Sequence, residues 1–143
     1  MKQRVRAVLI SRHDTALFMK RVRPGQVPYR VLISGGVEDG DADVHSALLR
    51  EIREEIAGDA RIVRPFQRVD HPDGTVEHIF LAFVDSWDFA ARTGPEFQHE
   101  DRGEYGLEEV ALTPEAVGAL NLLPHQARAA LCEAIDAGTL LAS

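Results

Sequence analysis

The sequence predicts a single α/β domain in which a mixed sheet packs with two helices, one early and one late. Three patterns predict it. Residues 4–10 alternate in polarity, the segment Val76 to Val84 is apolar enough for a central strand, and Val44, Leu48, Ile52 and Ile56 recur at helical spacing. A chain of 143 residues, 45% of them apolar, carries one domain as its prior. Such a domain buries roughly two-thirds of its extended-chain surface, which is enough for a core without disulfides.

Each element follows in order. Val5, Ala7 and Leu9 alternate with Arg4, Arg6 and Val8, so residues 4–10 read as a strand with one wetter face. Ser11 to Asp14 is a turn, and Ala16-Leu17-Phe18-Met19 begins the return strand. Arg23-Pro24-Gly25-Gln26-Val27-Pro28 breaks the chain, and Tyr29 to Ile33 forms a short strand ending at Ser34-Gly35-Gly36. Asp43 is the best cap for a helix that runs to about Ile56, with Gly58 closing it in a left-handed conformation. Residues 61–69 and 76–84 are strands around Pro72-Asp73-Gly74. Trp87 to Gly106 reads as a long loop, a strand follows near Leu107 to Leu112, and Pro124 starts the late helix. That helix carries Ala127, Ala130, Leu131, Ala134 and Ile135 on one stripe, ending before Gly138.

Composition excludes several classes of function. Sixteen Lys and Arg against 23 Asp and Glu give a formal net charge of −7, which argues against a nonspecific nucleic-acid coat. A small phosphorylated ligand remains compatible if a metal supplies positive charge. The single cysteine, Cys132, excludes an intrachain disulfide and a multi-cysteine zinc site. The apolar run in MKQRVRAVLI is too short for a signal peptide or membrane span, so the expectation is a cytoplasmic protein without a membrane partner. Nothing in the sequence excludes a homodimer.

The chemistry is expected on the early helix. At about 100° per residue, its four apolar positions fall within an arc of about 120°. Glu55 lies inside that arc, Glu51 beside it and Glu54 further round. Residues 51, 54 and 55 are three and four apart, so their side chains converge. A carboxylate turned toward protein needs a partner, and Mg2+ or Mn2+ would supply the charge between three such acids. Ordinary surface pairing, Arg50 with Glu51 or Glu54, is the competing reading. Gly35, Gly36 and Gly40 would let the backbone turn sharply and let a phosphorylated ligand approach.

These residues resemble the Nudix hydrolase family. Arg50-Glu51-Ile52-Arg53-Glu54-Glu55 matches the central run of its signature, and Gly35-Gly36-Val37-Glu38-Asp39-Gly40 resembles the entrance to that run. Three positions depart from the pattern. Ser34 stands where a proline often precedes the glycine pair, and Ala57 stands at the glycine after Glu-Glu. The signature's earlier glutamate is Asp41 if Gly35 anchors the count with one inserted residue, or Ala42 if Gly36 does. The resemblance implies a Nudix-like α/β/α sandwich with a mixed sheet, occupying residues 1–143 as one domain. It also implies a metal-dependent hydrolase cleaving a diphosphate linkage in a nucleotide or nucleoside diphosphate derivative. A catalytically weak nucleotide-binding protein of the same fold is the alternative.

By the same resemblance Glu54 and Glu55 are direct metal ligands, Glu51 is a ligand or the base that activates water, and Arg50 orients a glutamate. Asp41 stabilises the loop or meets a metal through water. A further acid could come from Glu100, Glu104 or Glu108, although a solvated loop acid is the favoured reading there. From the residues alone, one of Arg21, Arg23 or Arg30 could reach a substrate phosphate, with arginines scattered on a rim for solubility equally expected. Tyr29, Phe66, Phe80, Phe83 and Trp87 are expected mainly in the core. His71, His78, His99 and His125 lack metal-ligand spacing, and Cys132 is structural.

Overall fold

The central strand, β1 (Gln3–Ser11), pairs in parallel with β6 (Val76–Ser86) along its whole length. Its other side is shared. β4 (Ile33–Gly36) is antiparallel to Arg4–Ala7, and β2 (Thr15–Val22) takes over at Leu9 and Ile10. Beyond that point β2 diverges and carries β3 (Tyr29–Val31) on one edge and β7 (Glu104–Ala111) on the other. β5 (Asp59–Asp70) closes the β6 edge, and the short β8 (Leu122–Leu123) adds to β3. The computed structural model describes residues 2–89 and 104–140, with the backbone only at 104 and 105.

Among the described residues three helices cover this curled sheet: α1 (Val44–Ile56), α2 (Pro114–Gly118) and α3 (His125–Asp136). Strand alternation sends the two sets of side chains into two cores. Val5, Ala7, Leu9, Leu17 and Ile33 meet Leu48, Ile52 and Ile56 of α1 on one face. Val8, Ile10, Phe18, Leu32 and Leu81 meet Val117, Ala127 and Leu131 on the other. The architecture is therefore the expected α/β/α sandwich with a mixed sheet.

Several local expectations need correction. Tyr29 to Ile33 is not one strand, because the chain changes partners at the fully buried Leu32, leaving β2 for β1. The glycine pair is not a turn. Gly35 and Gly36 lie in β4, register partners of Val5 and Arg4, and the turn comes later, where the Asp41 N–H donates to the Glu38 carbonyl. The residue closing α1 in the left-handed conformation is Ala57, at φ 49° and ψ 41°, and not Gly58. Its N–H reaches the Arg53 carbonyl at 2.9 Å, the bond of a left-handed helix stop. Gly58 has another role: a Cβ there would stand 2.8 Å from Ile52 Cγ2.

Two short elements were absent from the sequence reading, α2 and β8. α2 carried a usable signal, since Thr113 caps it by accepting from the Ala116 N–H and Pro114 fills its first turn. β8 has only two residues and no periodicity to detect. β7 begins at Glu104 and so shortens the expected loop from its far end.

Candidate active site

Asp43 fixes the start of α1, its carboxylate accepting the Ser46 N–H at 2.7 Å. From there the helix turns Glu51 and Glu55 toward the sheet, where they are 8% and 9% exposed, beside the buried Leu48, Ile52 and Ile56. Glu54 stays partly open, with a side-chain exposure of 32%. The apolar arc therefore carries two acids inward and leaves the third at the rim.

The space for Glu51 comes from β4. A Cβ at Gly35 would overlap the carboxylate carbon and both oxygens of Glu51, whereas a Cβ at Gly36 would meet nothing within 4 Å. The two glycines are thus inequivalent. Gly35 provides a seat for a carboxylate, and Gly36 offers its carbonyl.

Arg50 ties the loop and the helix together. Its Nε and Nη2 donate to the two oxygens of Asp41 at 3.0 Å each, and Nη2 also donates to the Gly36 carbonyl at 3.1 Å. Nη1 donates to Glu51 at 3.0 Å and to Glu54 at 3.2 Å. Glu38 lies 3.7 Å from Nε. One guanidinium thus spans β4, the glycine loop and two turns of helix, which a point-charge lysine would not do. Asp41 also accepts the Glu38 N–H at 2.7 Å. The Arg50 hydrogen bonds, then the Glu38 N–H, hold the Asp41 carboxyl below its ordinary value. The same acids, Asp41 first, hold Arg50 still more firmly protonated.

Hard oxygen donors on one helix suit a hard divalent cation in chemical type. Among the described residues, however, no three His, Cys, Asp or Glu side chains form a ready ion cage. The Glu51 and Glu54 oxygens are turned onto Arg50 instead. Glu38 and the Gly36 carbonyl are members of this network that sequence reasoning passed over. A backbone acceptor has no sequence signature, and Glu38 is one of several acids in its loop.

The remaining candidates lie elsewhere. Arg30 is not brought to the acidic helix, because its Nε and Nη2 grip both oxygens of Glu108 at 3.1 Å. Glu108 is the register partner of Phe18, whose side chain belongs to the α3-side core, so this pair occupies the sheet face opposite α1. Glu104 opens β7 opposite Val22, and Glu100 and His99 fall outside the described residues. Phe80 is buried and Trp87 packs against the α1-side core. Cys132 is a free, half-buried thiol beside the α3-side core.

The sequence profile of the NUDIX domain matches residues 1–130. The chain belongs to the Nudix family. It is a Nudix pyrophosphohydrolase, in a family whose members act on nucleoside diphosphate derivatives. Among solved structures it is similar to a Nudix hydrolase from Nitrosomonas europaea, at 16% identity, covering 96% of this chain and 90% of that one with a TM-score of 0.71. The E. coli ORF135 protein is 21% identical, with 96% and 89% covered and a TM-score of 0.62. An ADP-ribose pyrophosphatase from Streptococcus suis is 16% identical, with 96% and 91% covered and a TM-score of 0.62. These likenesses show a shared fold. No curated protein matches the chain. No helix among the described residues is long and apolar enough to cross a membrane.

Proposed function

We propose that this Nudix chain cleaves the diphosphate linkage of a small nucleotide derivative in the cytoplasm with Mg2+ or Mn2+, held by Glu51, Glu54 and Glu55. The observation that carries the reading is the seat at Gly35. The fold leaves a Cβ out of a strand and places there a carboxylate that is 8% exposed. Burying a charge is unfavourable unless it is paired, and Arg50 supplies that pairing at 3.0 Å, so the seat holds a fixed carboxylate beside the glycine loop, where a divalent ion could use it. When bound, a divalent ion would neutralise phosphoryl oxygens and lower the pKa of a water.

The chain's own residues do the rest. Arg50 fixes the rotamers of Glu51 and Glu54 through Nη1, and Asp41 fixes Arg50. Glu55, buried one position beyond Glu54, adds a third carboxylate on the same side of α1. With a net charge of −7, a phosphorylated ligand docks through the ion rather than against bare carboxylates.

The test is a panel of nucleoside triphosphates, dinucleotides and nucleotide sugars assayed with and without each metal, products being read by mass. Metal-dependent diphosphate cleavage is expected, with turnover lost in Glu54→Gln and Glu55→Gln and retained in Glu133→Gln. Metal titration of Glu55→Gln supplies the independent arm. Unchanged affinity for both ions in that variant would remove Glu55 from the ligand set.

A further inference from the structure

Arg50 is one cation shared among four acids and a carbonyl, and its two ends are held differently. Nε and Nη2 donate to the two oxygens of Asp41 at 3.0 Å each, and Nη2 also reaches the Gly36 carbonyl. Asp41 is itself fixed, since its side chain is only 7% exposed and accepts the Glu38 N–H. Paired hydrogen bonds onto one carboxylate are the strong kind. Nη1 has no such partner. It is divided between Glu51 at 3.0 Å and Glu54 at 3.2 Å.

One nitrogen thus draws together two carboxylates of α1, which would otherwise repel each other. The two are not held alike. Glu51 lies in the seat at Gly35 and is buried there. Glu54 stands at the rim, its side chain 32% exposed, on the longest of the five Arg50 hydrogen bonds. An arginine that precedes its glutamate at i, i+4 is also the weaker order of such a pair. Of all the Arg50 contacts, Nη1 to Glu54 therefore opens most readily.

Resting on the assignment of Glu54 as an ion ligand, we propose that Arg50 Nη1 is a built-in substitute for the divalent ion. It holds Glu54 beside Glu51 in the metal-free chain, and Glu54 leaves Nη1 when an ion binds. Arg50 keeps Asp41 and the Gly36 carbonyl throughout, so the glycine loop stays in place while the rim carboxylate changes partner. The consequence is an unusual sign. Removing Arg50 tightens ion binding, because no hydrogen bond has to be given up and no neighbouring positive charge repels the ion. Turnover falls at the same time, since Glu51 loses its fixed partner. An arginine that only oriented the ligands would lose both together.

The test is calorimetric titration of the full metal-free chain with Mn2+ and with Mg2+, in the parent, Arg50→Gln and Arg53→Gln. Arg53 is exposed on the same helix, so its variant carries the same change of charge without the contact. Arg50→Gln should bind both ions roughly tenfold more tightly, the equivalent of one charge-assisted hydrogen bond. Arg53→Gln should stay within about threefold of the parent, as expected for a screened surface charge. NMR of the parent needs no variant and decides the matter if Arg50→Gln does not fold. On saturation with Mg2+, the Arg50 Nη1 protons should exchange faster with solvent while the Nε–H keeps its protection. Weaker or unchanged ion binding in Arg50→Gln, an equal gain in Arg53→Gln, or Nη1 protection unaltered by Mg2+ would each overturn the proposal. Weakened binding in Glu55→Gln alongside any of these results would leave the ligand assignment standing and remove only the exchange at Glu54.

Discussion

Replacing Gly35 by alanine tests the carboxylate seat, and replacing Gly36 supplies a control one residue away. Neither glycine has a positive φ among the described residues, so alanine fits both backbones and only space distinguishes them. At Gly35 the new Cβ overlaps the Glu51 carboxylate, while at Gly36 nothing lies within 4 Å. Swinging Glu51 away costs about 0.5–1.5 kcal/mol for an unfavourable rotamer. It also removes the 3.0 Å hydrogen bond from Arg50, a charge-assisted contact contributing roughly 1.5–3 kcal/mol. Alanine returns about 0.4–1 kcal/mol by restricting the unfolded chain. Gly35→Ala is therefore expected to destabilise by about 1–4 kcal/mol, while Gly36→Ala is neutral or slightly stabilising. For a domain of this size 1 kcal/mol shifts Tm by about 3–4 °C. Thermal unfolding by circular dichroism should place Gly35→Ala several degrees below both the parent and Gly36→Ala. Turnover should fall roughly 100-fold in Gly35→Ala, the penalty for a catalytic group misplaced by about an ångström. Equal melting temperatures and equal rates for the two alanine variants would refute the seat.

Three further outcomes follow from named contacts. Ala57→Gly should stabilise by about 0.5–1 kcal/mol, because it relieves a left-handed alanine, whereas Gly58→Ala should destabilise by about 1–3 kcal/mol by crowding Ile52 and Ile56. Urea unfolding reads both signs, and the opposite order would show that Gly58 closes the helix. Arg50→Lys should lower turnover roughly 100-fold and lower Tm, since lysine cannot reach Asp41, Glu51, Glu54 and the Gly36 carbonyl together; parent-like kinetics would deny the arginine its positioning role. Burial raises the pKa of Glu77, but its paired hydrogen bonds and charge contact with Arg6 outweigh this and leave it below the ordinary 4.5. A depressed folded-state pKa gives stability that is complete above 4.5 and lost as pH falls through the lower folded value. Tm measured from neutral to about pH 3 should therefore fall less steeply in Glu77→Gln than in the parent, and parallel curves would remove Glu77 from the acid transition.

What the sequence determined is what neighbours along the chain determine. The Asp43 cap, the four apolar positions of α1 and the inward turn of Glu51 and Glu55 are set by contacts within one or two helical turns. The β5–β6 hairpin follows likewise from two β-rich runs around Pro72-Asp73-Gly74, and α3 from one apolar stripe after Pro124. Tertiary structure decided where distant segments meet. Arg30 pairs with Glu108, 78 positions away, because β2 holds β3 and β7 on its two edges. Gly35 serves as a seat and Gly36 does not, because only Gly35 lies under Glu51 once β4 pairs with β1 and α1 packs above. The left-handed turn falls on Ala57, while the glycine stands at position 58, where Ile52 and Ile56 leave room only for hydrogen. Periodicity records which face a side chain presents, and only the assembled sheet and helix determine what that face meets.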